Sequence, residues 1–223
     1  MVTGAIIAGG FSRRFGEEDK AVAPIDGTPM IRHVGNRLAG IGRAVDPGAE
    51  AASNGEGIVD NLVISCRGDQ REAIASAMSG YPLEVSYVED QEPDQGPTAG
   101  IGNACRGASD EVVLVVACDM PFVDPGFLLF LRERLKGYDA VVPQLDDEWF
   151  QTTQAVYRAS PMAAACEATL ERGDRKVLAA LSTLEYTVVD DAEIRSVTTE
   201  RTFENVNTKA DLEAAQRRYR TCD

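Results

Sequence analysis

The chain has 223 residues with 36 acidic against 22 basic side chains, a net charge of −14; such a surface repels polyanions and argues against a nucleic-acid partner. At 44% hydrophobic it can bury a sizeable core, but no apolar stretch reaches the ~18 residues of a membrane span. The length suits one α/β domain over residues 1–223, and the chain opens on a strand pattern with no basic segment before it, so a cytoplasmic protein without a signal peptide is expected.

Only four of the 22 basic residues are lysine. Acidic excess with few lysines suggests adaptation to high salt, where screening makes surface charge cheap. Stability is therefore expected to rise from dilute buffer to molar KCl, and a flat denaturation profile across that range would count against the idea. Cys66, Cys105, Cys118, Cys166 and Cys222 are odd in number and include no C-x-x-C pair. They read as reduced thiols, not metal ligands.

In chain order, the first expected strand is Ala5–Ala8, followed by Gly9 and Gly10 and then by Arg13, Arg14 and Lys20. Glycines let backbone N–H groups approach a ligand closely, and cations beyond them suit a polyanion. The Gly-x-Gly-x-x-Gly fingerprint is absent, as is any Gly-Lys-Ser/Thr. The segment reads as the triphosphate loop of a nucleotidyltransferase; the plainer alternative is a turn with solvated arginines. Met30, Ile31, Val34, Leu38 and Ile41 then mark the apolar face of a helix that carries His33, the one histidine. A lone histidine on a helix excludes a catalytic His dyad and a His-rich metal site. Residues 42–61 are small, polar and glycine-rich, and read as a flexible loop insertion.

Strands are expected at Leu62–Ser65 and Leu83–Val88, with Asp90 just beyond the second. In Asp94-Gln-Gly96-Pro97-Thr-Ala-Gly100, Pro97 opens a helix or merely a turn, and the glycines permit close approach of a base or ribose. The strand Val112–Ala117 leads into Cys118-Asp119-Met-Pro121. A carboxylate there suits Mg²⁺, which is held by one or two carboxylates plus substrate phosphate oxygens; capping a turn is the competing role. Asp124-Pro125 looks like a helix N-cap with proline at the first position, and Phe127, Leu128, Leu131 and Leu135 continue its buried stripe. Further strands follow at Ala140–Pro143, Ala155–Tyr157 and Tyr186–Val189; Trp149, between them, lines an acceptor pocket or, by default, packs in the core. Phe203-Glu-Asn205-Val-Asn207-Thr208 carries two amides two residues apart, which share one side of an extended chain and offer neutral oxygens to a metal shell. Thr208-x-x-Asp211 resembles a capping box for a last helix with Leu212, Ala215, Gln216 and Tyr219 at helical spacing.

Strands alternating with helices imply a parallel sheet covered on both faces, with ligands at the C-terminal ends of its strands. The glycine loop and Asp119 both begin at such ends, so the cations and the aspartate fall on one rim.

The first loop with Arg14, Gly16 and Asp19-Lys20, then Gly27-Thr-Pro29-Met, Gly96-Pro-Thr-Ala-Gly100, Cys118-Asp-Met-Pro121 and Phe203-Glu-Asn-Val-Asn-Thr208 together resemble the molybdenum cofactor guanylyltransferase family. The resemblance covers most of the chain. It implies a Rossmann-like three-layer α/β nucleotidyltransferase fold with a mostly parallel sheet. GTP would be the donor, Mg²⁺ the metal, molybdopterin or molybdenum cofactor the acceptor, with transient contact to other cofactor-biosynthesis proteins. Ile7, Ala8, Gly9, Gly10, Arg14, Lys20, Ser65, Asp90, Gly96 and Asp119 would bind nucleotide. Arg14 and Lys20 would stabilise the leaving pyrophosphate. Asp119, with Asn207, would hold the metal. Ser65 stands where bacterial relatives have a nucleotide-binding asparagine, and Gln151-Thr-Thr-Gln-Ala155 lacks a proline frequent in the family. The rival readings are a cytidylyltransferase, a guanylyltransferase for a cobamide precursor, phospho-acid or sugar phosphate, and a non-catalytic GTP sensor. A nicotinamide enzyme fits the sheet but lacks the fingerprint.

Overall fold

The apolar runs become strands because their alternate side chains find cores on opposite sides. The computed structural model describes residues 1–10, 15, 19–41, 57–90, 95–146 and 149–221. Strand β1 (Val2–Ile7) leads to a two-residue hairpin, β2 (Pro24–Ile25) and β3 (Thr28–Pro29), and helix α1 (Met30–Leu38). Then come β4 (Asn61–Cys66), α2 (Arg71–Ala77), β5 (Glu84–Glu89), α3 (Gly96–Gly107), β6 (Val112–Ala117), α4 (Pro125–Arg134), β7 (Ala140–Pro143) and β8 (Gln154–Arg158). The chain closes with α5 (Ala159–Glu171), α6 (Val177–Leu181), β9 (Tyr186–Val189), α7 (Asp191–Val197) and α8 (Lys209–Thr221).

Among the described residues the main sheet has seven strands in the order β5-β4-β1-β6-β8-β7-β9. All pairs are parallel except β8 with β6 and β7. Along β6, Leu114 and Val116 face α1 and α4, while Val113 and Val115 face α3 and α5. That period-two alternation divides the apolar residues into two cores, giving three layers. A third cluster joins α8 to the hairpin through Ile25, Met30, Phe122, Val206 and Ala215. His33 belongs to this structural seam: its ring lies 4.4 Å from that of Tyr219, and its Nε2 is 2.8 Å from the Ile25 carbonyl. Burial lowers its pKa.

Several expected elements differ from those observed. Strand β1 starts at Val2 because its register with β6 runs from Val2–Val112 onward, and it ends before Ala8. Helix α1 ends at Leu38, so Ile41 lies outside its stripe and is 40% exposed. The loop expected over 42–61 is anchored from Ile58, because Ile58 and Val59 bury their side chains in the core and Asn61 already belongs to β4; residues 42–56 lie outside the described residues. Trp149 does not pack in the core: it is 71% exposed and does not line the cleft described below. Asp124 caps α4, accepting from Gly126 N and Phe127 N at 2.8 and 3.4 Å. Thr208 and Asp211 form the reciprocal box that opens α8. Among the described residues no helix is long and apolar enough to cross a membrane.

Candidate active site

Strand order reverses between β1 and β6, and a crevice opens at the C-terminal ends of strands on either side of that point. A cleft of about 200 Å³ occupies it. Its floor is Ile7, Gly9 and Gly10 from the end of β1. Asp90, just beyond β5, and the amino end of α3, with Gln95, Gly96 and Pro97, form one wall. Ala117, Cys118 and Asp119 from the end of β6 form the other, joined by Thr153 and Lys20. A helix amino terminus adds positive potential to such a crevice.

Lys20 and Asp119, 99 positions apart, meet here. The Lys20 Nζ donates to Asp119 Oδ2 at 2.7 Å and to Asn207 Oδ1 at 3.3 Å. Each member of the Lys20–Asp119 pair keeps only about one-seventh of its side chain exposed, 14% and 15%. Burial pulls the lysine pKa down, but the charge of Asp119, its hydrogen bond to the ammonium and the charge of Asp19 outweigh it and raise the pKa above the ordinary value. The lysine is held from below. It starts a 3₁₀ turn, Lys20–Val22, capped by Asp19, whose Oδ1 accepts from Ala21 N. The buried Gln70 in turn donates to Asp19 Oδ2 at 2.6 Å. Asp119 is fixed by its own backbone, since Val206 N donates to its carbonyl and Cys118 N donates to Ile7 O. Its Oδ1 is buried and makes no hydrogen bond. Burial pushes the Cys118 thiol up to about 12, so it stays protonated and unreactive beside the carboxylate.

Asp90 lies over the glycine loop. A Cβ on Gly9 would sit 2.1 Å from Asp90 Oδ2, so any side chain there would push the Asp90 carboxylate out of its place over the loop. Asp90 Oδ1 accepts from Ser65 Oγ at 3.0 Å and from Asn103 Nδ2 at 3.1 Å.

Of the residues singled out in the sequence, Ile7, Gly9, Gly10, Lys20, Asp90, Gly96 and Asp119 line one cleft. Asn207 reaches it through Lys20. Ala8 does not line it: the strand's alternation turns its methyl into the core, while its N–H donates to Ser65 O. Ser65 is fully buried and acts on Asp90, not on the cleft itself. Asn205 is exposed and bonds back to Phe203 O. Arg14 and Gly16 lie outside the described residues. Four polar residues escaped the sequence reading: Arg67, Gln70, Asn103 and Thr153. Arg67 follows directly on the end of β4, and the strand-end rule that marks Asp119 also points to it. Asn103 carries no such signal, being the third turn of a helix.

Residues 4–185 match the model of the MobA-like NTP transferase domain. A probable molybdenum cofactor guanylyltransferase of Natronomonas pharaonis is 40% identical over 97% of each chain. A molybdenum cofactor guanylyltransferase of Burkholderia orbicola is 30% identical over 97% of this chain and 96% of its own. Molybdopterin-guanine dinucleotide biosynthesis protein A of Archaeoglobus fulgidus superposes with a TM-score of 0.73 at 26% identity, covering 98% of this chain and 99% of its own. With the family model spanning the glycine loop, both cleft walls and most of the sheet, the chain belongs to the MobA-like NTP transferase domain family.

Proposed function

We propose that the protein transfers GMP from GTP to the terminal phosphate of molybdopterin, releasing pyrophosphate. The observation that carries this reading is the meeting of Lys20 and Asp119 at a glycine-floored cleft, 2.7 Å apart, in a chain whose relatives are named for guanylyl transfer.

In this reading the acceptor phosphate oxygen attacks the α-phosphorus of GTP in line. A new P–O bond forms, the bond to the β-phosphate bridging oxygen breaks, and pyrophosphate leaves. A phosphate oxygen is already anionic, so no general base is required, which agrees with a cleft that holds no histidine. Catalysis rests on positioning and charge. The Gly9 and Gly10 backbone approaches the triphosphate without side chains in the way. Lys20 offsets the charge that develops on the leaving pyrophosphate. Asp90, held by Ser65 and Asn103, presents Oδ2 to a donor on base or ribose.

Mg²⁺ fits the residues present. The buried Asp119 Oδ1 lacks any hydrogen-bond partner, and Asn207 offers a neutral oxygen within reach of the same ammonium. Asp119 and Asn207 would hold the ion, with phosphate oxygens and water completing its shell, since no cluster of three His, Cys, Asp or Glu suited to a metal occurs among the described residues. Bound there, it would neutralise charge on the α-phosphate. A cytoplasmic setting and transient hand-over from other cofactor-biosynthesis proteins go with this role.

The test is pyrophosphate release by the purified protein given GTP, CTP, ATP or UTP with molybdopterin. Release is expected with GTP and only when the acceptor is present. Equal turnover with CTP, or none with any nucleotide, overturns the assignment.

A further inference from the structure

Arg67 is the cation under the glycine loop, and it is built in. Its guanidinium Nη1 donates to the Gly10 carbonyl at 3.0 Å and to the Gly9 carbonyl at 3.3 Å. The Nε and Nη2 hydrogens go to the two oxygens of Asp69 at 3.0 and 3.3 Å. The backbone N–H of Arg67 donates to Gln70 Oε1, and Gln70 also holds Asp19, the cap of the turn that carries Lys20. Only 15% of the Arg67 side chain is exposed. The two glycines line the cleft and Arg67 does not.

The peptide unit whose oxygen is the Gly9 carbonyl has the Gly10 N–H at its other end. Trans geometry points that N–H away from the carbonyl, and hence away from the guanidinium. A glycine pair left to itself samples many peptide orientations. Charge-assisted bonds to successive carbonyls select one of them. The donors of a lysine radiate from one nitrogen, so it cannot reach the two carbonyls and, apart from them, both Asp69 oxygens, whereas the planar guanidinium fork does so with Nη1 on one side and Nε and Nη2 on the other.

We infer that Arg67 is a positioning residue for the triphosphate: it grips the Gly9 and Gly10 carbonyls from behind the cleft so that the Gly10 N–H faces the phosphates, and its charge adds to that of the N–H. It makes no contact with base or acceptor. This rests on the reading of the cleft as a nucleoside triphosphate site.

The experiment compares binding of GTP, inorganic triphosphate and guanosine by calorimetry to the wild-type protein, Arg67→Met and Arg67→Lys, with circular dichroism as a check on folding. Arg67→Met is expected to weaken GTP and inorganic triphosphate at least about tenfold, the scale of one lost charge-assisted hydrogen bond, while guanosine binding stays within about twofold. Arg67→Lys is expected to recover part of the triphosphate affinity and none of the rest. A parallel loss of guanosine, or triphosphate affinity unchanged in Arg67→Met, overturns the inference. Should Arg67→Met fail to fold, Arg67→Lys decides alone by the same selectivity. A wild-type protein that binds neither GTP nor inorganic triphosphate removes the triphosphate reading and this inference together; a wild-type that binds both and a variant that does not differ remove only the inference.

Discussion

Replacing Asp119 by asparagine is expected to lower kcat/KM for pyrophosphate release about 10²–10³-fold, or about 3–4 kcal/mol of transition-state stabilisation, with the fold intact. Asparagine keeps the shape and one oxygen, so the change isolates the negative charge. The backbone bonds that fix residue 119, from Val206 N to its carbonyl and from Cys118 N to Ile7 O, do not involve the side chain and survive. What is lost is the anionic oxygen pair, of which one member is bonded to Lys20 and the other is buried without a partner. A buried acceptor with nothing to accept is costly in a purely structural role, and it makes sense where a cation arrives with substrate. The check is steady-state pyrophosphate release alongside a thermal melt. Near-normal turnover in Asp119→Asn would falsify the metal role.

The ion pair also sets a pH expectation whose sign is fixed. Lys20 has its pKa raised above 10.5 in the folded protein. The stability it contributes is therefore fully present below that ordinary value and is lost only as pH rises through the raised one. Around neutrality Lys20 gives no slope to the stability profile, so any slope there belongs to other groups.

Much of this arrangement was legible in the sequence, and the reason is topological. The strands are short apolar runs with turn residues at their ends, and parallel packing sends all such ends to one rim. That is enough to bring Gly9, Lys20, Asp90 and Asp119 to one rim. What could not be read were contacts whose geometry depends on register and on side-chain direction. Ser65 is expected at the nucleotide only because it stands where bacterial relatives have a nucleotide-binding asparagine, yet β4's alternation buries it and only its hydroxyl, through Asp90, touches the site. Asn205 and Asn207 looked equivalent at a spacing of two; only Asn207 is within reach of Lys20. The hairpin at Pro24–Pro29 was missed although Asp26-Gly27 is a strong two-residue turn signal, with positive φ at both residues. Its strands are two residues long, too short for any alternation to register.

Lys20→Ala is expected to cost a comparable 10²–10³-fold in kcat, about 3–4 kcal/mol, but by a different route. In the free protein the ammonium neutralises Asp119, so its removal leaves a carboxylate at 15% exposure with its nearest cation gone. Removing one partner of a desolvated pair is destabilising because the other charge stays behind, and the melting temperature is expected to fall modestly. Activity is expected to fall further than that stability change explains, since bond breaking adds negative charge on the departing pyrophosphate beyond what the bound triphosphate already carries, and that added charge is met only in the transition state. The two effects separate in kinetics: kcat at saturating GTP should fall sharply while guanosine binding holds, because Lys20 is not placed to meet the base. Asp119→Asn and Lys20→Ala combined should cost much less than the product of the two, as they act at one point in space. Full additivity, or a Lys20→Ala enzyme that turns over at close to the wild-type rate once folded, would reduce the 2.7 Å contact to an ordinary structural ion pair.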